Sequence, residues 1–239
     1  MTRSDGRRPH ELRPLTIEPD FLGRAHGSAL ISYGETRVLC AATLENGVPR
    51  WLAGRGRGWL TAEYSLLPAS TGERTPREAS QGRQKGRTVE IQRLVGRAVR
   101  AVADLEALGE RTLWLDCDVL EADGGTRCAA ISGVYVAAHR ALDRHGLSRV
   151  LFDSVAAVSA GIVGGEALLD LDYSEDSSAE VDLNVAMTGD GRFVEVQATA
   201  ELGAFDRGRL DELLDLATAG IEQVAERQRE VLSSGLEVK

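Results

Sequence analysis

Eleven consecutive residues, Cys117-Asp118-Val119-Leu120-Glu121-Ala122-Asp123-Gly124-Gly125-Thr126-Arg127, bring together groups that suit an oxyanion. Thr112 to Asp116 before them alternates apolar and polar, as a half-buried strand does. Cys128 to Ala138 after them reads as a helix. A strand that stops at Asp-Gly-Gly and re-enters as a helix leaves backbone N–H groups free at the helix start, where the helix dipole also attracts negative charge. Gly124 and Gly125 let the backbone approach an anion closely. Thr126 adds a hydroxyl, and Arg127 a forked cation matched to phosphate. The chemistry would be the binding of inorganic phosphate or a phosphoryl group. A plainer reading fits the same residues, a tight strand-to-helix turn capped by Thr126.

Glu175 to Asp182 is the second candidate, with Asp176 in a turn between two strands and Asp182 inside the next strand. A carboxylate there either faces solvent or lines a site. Near a phosphate turn, two carboxylates could hold Mg²⁺ through oxygen ligands, and one could deliver a proton to a leaving oxygen. Asp116/Asp118 and Asp170/Asp172 also alternate along expected strands and could serve a two-metal hydrolase, but that reading leaves the phosphate turn unused. No Ser/His or Cys/His pairing marks a nucleophile, and His10, His26, His139 and His145 have no zinc spacing. Cys40, Cys117 and Cys128 lie in apolar surroundings without a CxxC and read as reduced core residues.

The elements that must position these groups are legible in outline. Ala29–Tyr33 and Thr36–Leu44 form a hairpin across Gly34-Glu35, and a third strand lies near Gly58–Tyr64. Pro68 to Lys85 is a polar loop containing Arg74, Arg77, Arg83 and Lys85. Ile91, Leu94, Val95, Ala98, Val99, Val102 and Leu105 recur at helical spacing. Strands follow at Ser154–Val163, Glu166–Tyr173, Val181–Met187 and Arg192–Gln197, the last two joined by a turn at Gly189-Asp190-Gly191. A helix from about Asp206 to Leu232 comes last. The turn near residue 125 should face the second strand group across one core. The expectation is an α+β fold in which residues 1–239 form a single domain of mixed strands with covering helices.

The net charge of −9 argues against a nucleic-acid partner until it is mapped. Residues 50–100 hold eleven Lys/Arg against four Asp/Glu, whereas residues 101–239 carry a net −16. A basic segment inside an acidic protein is either a solvated helix face or a loop for a polyanion, and its glycines and arginines favour the loop. No apolar run reaches the roughly 18 residues of a membrane helix, and the polar, arginine-rich first fourteen residues are no secretory signal. A cytoplasmic protein without membrane contact is expected.

Taken together, the segments Gly34–Cys40, Gly58–Tyr64, Gly86–Leu94, Leu115–Arg127, Glu175–Asn184 and Val194–Gln197 resemble the ribonuclease PH family, phosphorolytic 3′→5′ exoribonucleases that trim transfer RNA precursors. The match runs in order over nearly the whole chain. The resemblance implies that Arg87, Gly125, Thr126 and Arg127 bind phosphate, the co-substrate. It implies that Asp176 and Asp182 bind Mg²⁺ or Mn²⁺ and serve as catalytic carboxylates, and that Arg74 and Arg77 grip RNA. Ala69 stands after Pro68 where many relatives carry an arginine, which weakens the expected grip there. The family further implies a homohexameric ring and, as substrate, RNA with a free 3′ end, chiefly transfer RNA precursors.

Overall fold

The structure, a computed structural model, describes residues 3–201 and 203–234. Its strands are β1 (Leu15–Pro19), β2 (Gly27–Tyr33), β3 (Thr36–Asn46), β4 (Trp59–Leu66), β5 (Arg111–Glu121), β6 (Val155–Val163), β7 (Glu166–Leu169), β8 (Val181–Thr188) and β9 (Phe193–Ala200). Its helices are α1 (Gly86–Arg100), α2 (Leu105–Leu108), α3 (Thr126–Arg144), α4 (Tyr173–Asp176) and α5 (Arg207–Ser233). The α+β expectation is borne out.

Two sheets carry the chain. The first runs β1-β2-β3-β5-β4, antiparallel except that β4 lies parallel to β5. The second is the antiparallel set β7-β6-β8-β9. Between them lies α3, against β2 and β3 on one side and β6 on the other. Its sequence explains the position. Ala129, Ala130, Ile131, Val134, Val136, Ala137 and Ala138 wrap the whole helix with small apolar side chains, and a helix apolar all round is a buried one. Strand β6 is buried along its full length, as its unbroken run Val155–Val163 requires. One core cluster takes residues from both sheets.

Four expectations need correction. The periodicity through Leu105 covers two helices, not one. Asp104 restarts the chain by accepting from the N–H groups of Glu106 and Ala107 at 2.9 and 3.0 Å. The strand expected over Glu166–Tyr173 ends at Leu169, because Asp170 turns left-handed (φ 54°) and Asp172 caps α4. Asp176 is therefore the last residue of a short helix rather than of a turn. Strand β1 adds an element to the expected set, since its five residues sit between Pro14 and Asp20 at the end of a charged stretch that hides them.

Candidate functional site

Strand β5 delivers the chain to Gly124 and Gly125, both left-handed (φ 75° and 67°), and α3 begins at Thr126. The conformation alone favours glycine at both positions. At Gly124 space demands it too, because a Cβ there would stand 2.5 Å from the Leu171 carbonyl oxygen. Thr36 ties the turn down. Its Oγ1 accepts from the Asp123 N–H at 2.8 Å and donates to the Gly124 carbonyl at 2.7 Å. Thr126 does not cap the helix. Gly125 holds the cap position with no side-chain hydrogen bond among the described residues, and the Thr126 hydroxyl accepts from the Tyr64 phenol at 2.9 Å. The first N–H groups of a helix have no partner within it. They are left here as donors for an anion.

Arg127 projects from this first turn, and its guanidinium donates to Gln197 Oε1 on β9. Gln197 in turn donates to Glu90 Oε1 on α1 at 2.9 Å. Arg87 is the second residue of α1 and is exposed. Both arginines act on the same two carboxylates. Burial pushes Asp176 above the ordinary carboxylate range, with Arg87 and then Arg127 pulling the other way. Burial also raises Asp182, the Asp176 charge raises it further, and Arg127, the Asn184 hydrogen bonds and Arg87 oppose the rise. Four of the expected site residues, Arg87, Arg127, Asp176 and Asp182, thus lie within electrostatic reach of one another beside Gly125 and Thr126. A carboxyl with a raised pKa keeps its proton to higher pH, which suits proton donation.

The basic loop runs beside this cluster. Arg74 and Arg77 are exposed. Arg77 shares with Arg87, Lys85, Tyr64 and Asp118 the lining of a cavity of about 740 Å³. Arg74 is not part of that lining. Glu78 pins the loop to the start of α1 by accepting from Thr88 Oγ1 at 2.8 Å and from the Lys85 N–H at 3.1 Å.

The rival carboxylate pairs fare differently. Asp116 and Asp118 do share one face of β5, both partly exposed, and both line the cavity. Asp170 and Asp172 lie on no strand. Asp170 is buried against Arg13, and Asp172 completes the capping box of α4 with Glu175.

Several residues at the site carried no signal of their own in the sequence. Asn184 donates to both Asp182 oxygens at 3.1 Å. Tyr64, Thr36 and Gln197 hold the turn and Arg127. Arg13 reaches the turn from more than a hundred residues away. Asn184 could have been found, because two residues along a strand place it on the face of Asp182. The others meet the site only through tertiary contacts.

Among the described residues no group of three or more His, Cys, Asp or Glu side chains could hold a metal ion. The donor set is instead two neighbouring carboxylates. That set fits Mg²⁺, which is commonly bound by one or two carboxylates with phosphate and water oxygens completing its shell.

Residues 11–141 match the family model "3′ exoribonuclease family, domain 1", and residues 153–220 match "3′ exoribonuclease family, domain 2". The chain is 56% identical over 239 residues to ribonuclease PH of Moorella thermoacetica, covering 97% of this chain and 95% of that one. Among solved structures it resembles the Archaeoglobus fulgidus exosome with RNA bound to the active site, with a TM-score of 0.77 and 26% identity over 96% of this chain and 92% of that chain. Rice Rrp46 shares the fold at 19% identity, with a TM-score of 0.79 over 97% of this chain and 100% of that chain.

Proposed function

The chain belongs to the 3′ exoribonuclease family of ribonuclease PH, and from that premise we infer that it is a phosphate-dependent 3′→5′ exoribonuclease and nucleotidyltransferase that trims the 3′ ends of transfer RNA precursors. One observation carries the reading. An uncapped glycine turn at a helix start lies beside two arginines, and both arginines act on the same pair of carboxylates. Such a site has a place for an attacking anion and a proton for a leaving oxygen, and it needs no side-chain nucleophile.

Phosphate is held by Arg87, Arg127 and the N–H groups at Gly125 and Thr126. One of its oxygens attacks the last phosphodiester phosphorus. The new P–O bond forms as the bond to the preceding 3′-oxygen breaks. Asp182, raised by burial and by Asp176, gives the departing oxygen its proton. The products are a nucleoside diphosphate and an RNA one nucleotide shorter with a free 3′-hydroxyl. The arginines position the anion and offset the charge that builds on the phosphoryl oxygens. Asp176 and Asp182 would hold Mg²⁺ or Mn²⁺, which when bound supplies further neutralisation of phosphate charge. Arg74 and Arg77 contact the RNA backbone next to the cavity.

Residues 1–239 act as one catalytic domain on this reading, supported by the core that the two sheets share. A homohexameric ring in the cytoplasm is part of the same proposal. Among the described residues no helix is long and apolar enough to cross a membrane.

The experiment incubates RNA with the protein and Mg²⁺, with and without inorganic phosphate, and identifies the mononucleotides. Nucleoside diphosphates released only with phosphate, and extension of RNA 3′ ends when nucleoside diphosphate is in excess, support the reading. Nucleoside monophosphates released in phosphate-free buffer would make the protein a hydrolase.

A further inference from the structure

Two arginines of the segment preceding β1 turn inward. Arg3 and Arg13 are 5% and 4% exposed, unusual for arginine unless it is paired. Arg3 meets Glu175 with two hydrogen bonds of 2.8 and 2.7 Å and also donates to the carbonyls of Leu169 and Asp170. Arg13 meets Asp170 with two more, 3.0 and 2.7 Å, while its own N–H donates to the same carboxylate at 2.8 Å. What distinguishes Arg13 is the rest of its fork. One arm donates to the Asp123 carbonyl and the other reaches the Gly124 carbonyl at 3.4 Å. A Cβ at Gly125 would stand 3.1 Å from the same guanidinium. Arg13 therefore lies directly behind the phosphate turn, and its partner Asp170 begins the corner that leads to Asp176.

The peptide geometry gives this contact a consequence. In a trans peptide the carbonyl of one residue and the N–H of the next point in opposite directions. Drawing the Asp123 and Gly124 carbonyls back onto Arg13 aims the N–H groups of Gly124 and Gly125 forward, away from the guanidinium, and the Gly125 N–H is one of the two assigned to the anion. Thr36 holds the Gly124 carbonyl from a second side. The Asp170 charge balances the guanidinium, so the orienting group stays buried while the anion meets the turn's opposite side.

We propose that Arg13, held by Asp170, is a positioning residue that aims the N–H groups of the phosphate turn. The proposal rests on the phosphorolytic reading of the site and names what orients its anion pocket. Lysine would keep the charge but lose the planar fork that spans carboxylate and carbonyls.

The test compares Arg13→Lys and Thr36→Val with the wild-type protein, at a temperature where circular dichroism shows each folded. The phosphate KM, the RNA KM and kcat are measured separately. A phosphate KM raised about tenfold in both variants, with RNA KM and kcat within about twofold of wild type, is the expected result, the size being that of one charge-assisted hydrogen bond removed or misaimed. A wild-type phosphate KM in the folded variants, or a fall in kcat alone, overturns the proposal and makes Arg13 a purely structural residue. Should Arg13→Lys fail to fold, Arg13→Gln, which keeps an amide donor but loses the charged fork, is read by the same criterion. A wild-type protein whose RNA degradation does not depend on phosphate would instead overturn the assigned function, and with it this role.

Discussion

The amide nitrogen of Asn184 stands 3.1 Å from each carboxylate oxygen of Asp182, two residues earlier on β8. Asn184 is itself oriented, since its Oδ1 accepts from the Cys128 thiol at 3.4 Å. Burial raises that thiol's pKa and keeps it a donor. The first turn of α3 thus helps fix the rotamer of the carboxylate proposed to protonate the leaving oxygen. Asp182→Asn should leave the fold and RNA affinity intact and lower turnover by at least about 10². Removing only the support, in Asn184→Ala, should cost less, about tenfold. Single-turnover RNA shortening at saturating phosphate checks both.

Arg87 and Arg127 reach the site from different helices, and Arg127 is already engaged by Gln197. Arg127→Ala and Arg87→Ala should each raise the phosphate KM, since a charge-assisted hydrogen bond is worth on the order of 1.5–3 kcal/mol. RNA binding measured without phosphate should change little. A collapse of RNA affinity with an unaltered phosphate KM would move these arginines to the RNA backbone.

The turn at Gly124-Gly125 and the strand bearing Asp182 are readable from sequence because their signals are local: paired glycines, an alternating pattern, a helix of small residues. The supports are not. Arg13 looks like one charge among several in a polar N-terminal stretch, and only the fold carries it to Asp170, 157 residues away. Asp170 reads as an alternating strand residue until its left-handed backbone and buried partner are seen. Tyr64 and Gln197 lie in ordinary strand patterns, and nothing in those patterns says that one donates to Thr126 and the other accepts from Arg127. Side chains that act through tertiary contacts leave no periodic trace.

Asp116 offers a test of electrostatics away from the catalytic carboxylates. Its pKa is raised, first by burial and then by the nearby charges of Glu63 and Asp118. A carboxyl with a raised folded-state pKa is charged at a cost in the native protein. Its contribution is favourable below the unfolded-state value of 3.8 and is lost as pH climbs through the raised value. Asp116→Asn should therefore raise the melting temperature at pH 7, and the gain should shrink as pH falls toward 3.8. A gain independent of pH, or a loss at pH 7, would contradict the sign of this shift. Thermal denaturation followed by circular dichroism across that range distinguishes the outcomes.

The basic loop yields the last expectation. Arg74 and Arg77 are exposed, and Glu78 anchors the segment next to them at the α1 start. Their positive charge stands in an otherwise acidic chain, so attraction to RNA phosphates should be concentrated there. Backbone contacts carry no sequence information, and alanine at both positions should weaken binding about equally for unrelated single strands. Removing one arginine–phosphate pairing should flatten the plot of log affinity against log salt by about 0.7 on a single strand. Arg77 lines the cavity beside Arg87 and Arg74 does not, so Arg77→Ala alone should also raise the RNA KM during turnover, while Arg74→Ala should act mainly on equilibrium binding of longer strands. An unchanged salt slope in the double variant would mean that the loop does not touch RNA phosphates, and any drop in RNA affinity would then have to come from elsewhere on the basic segment.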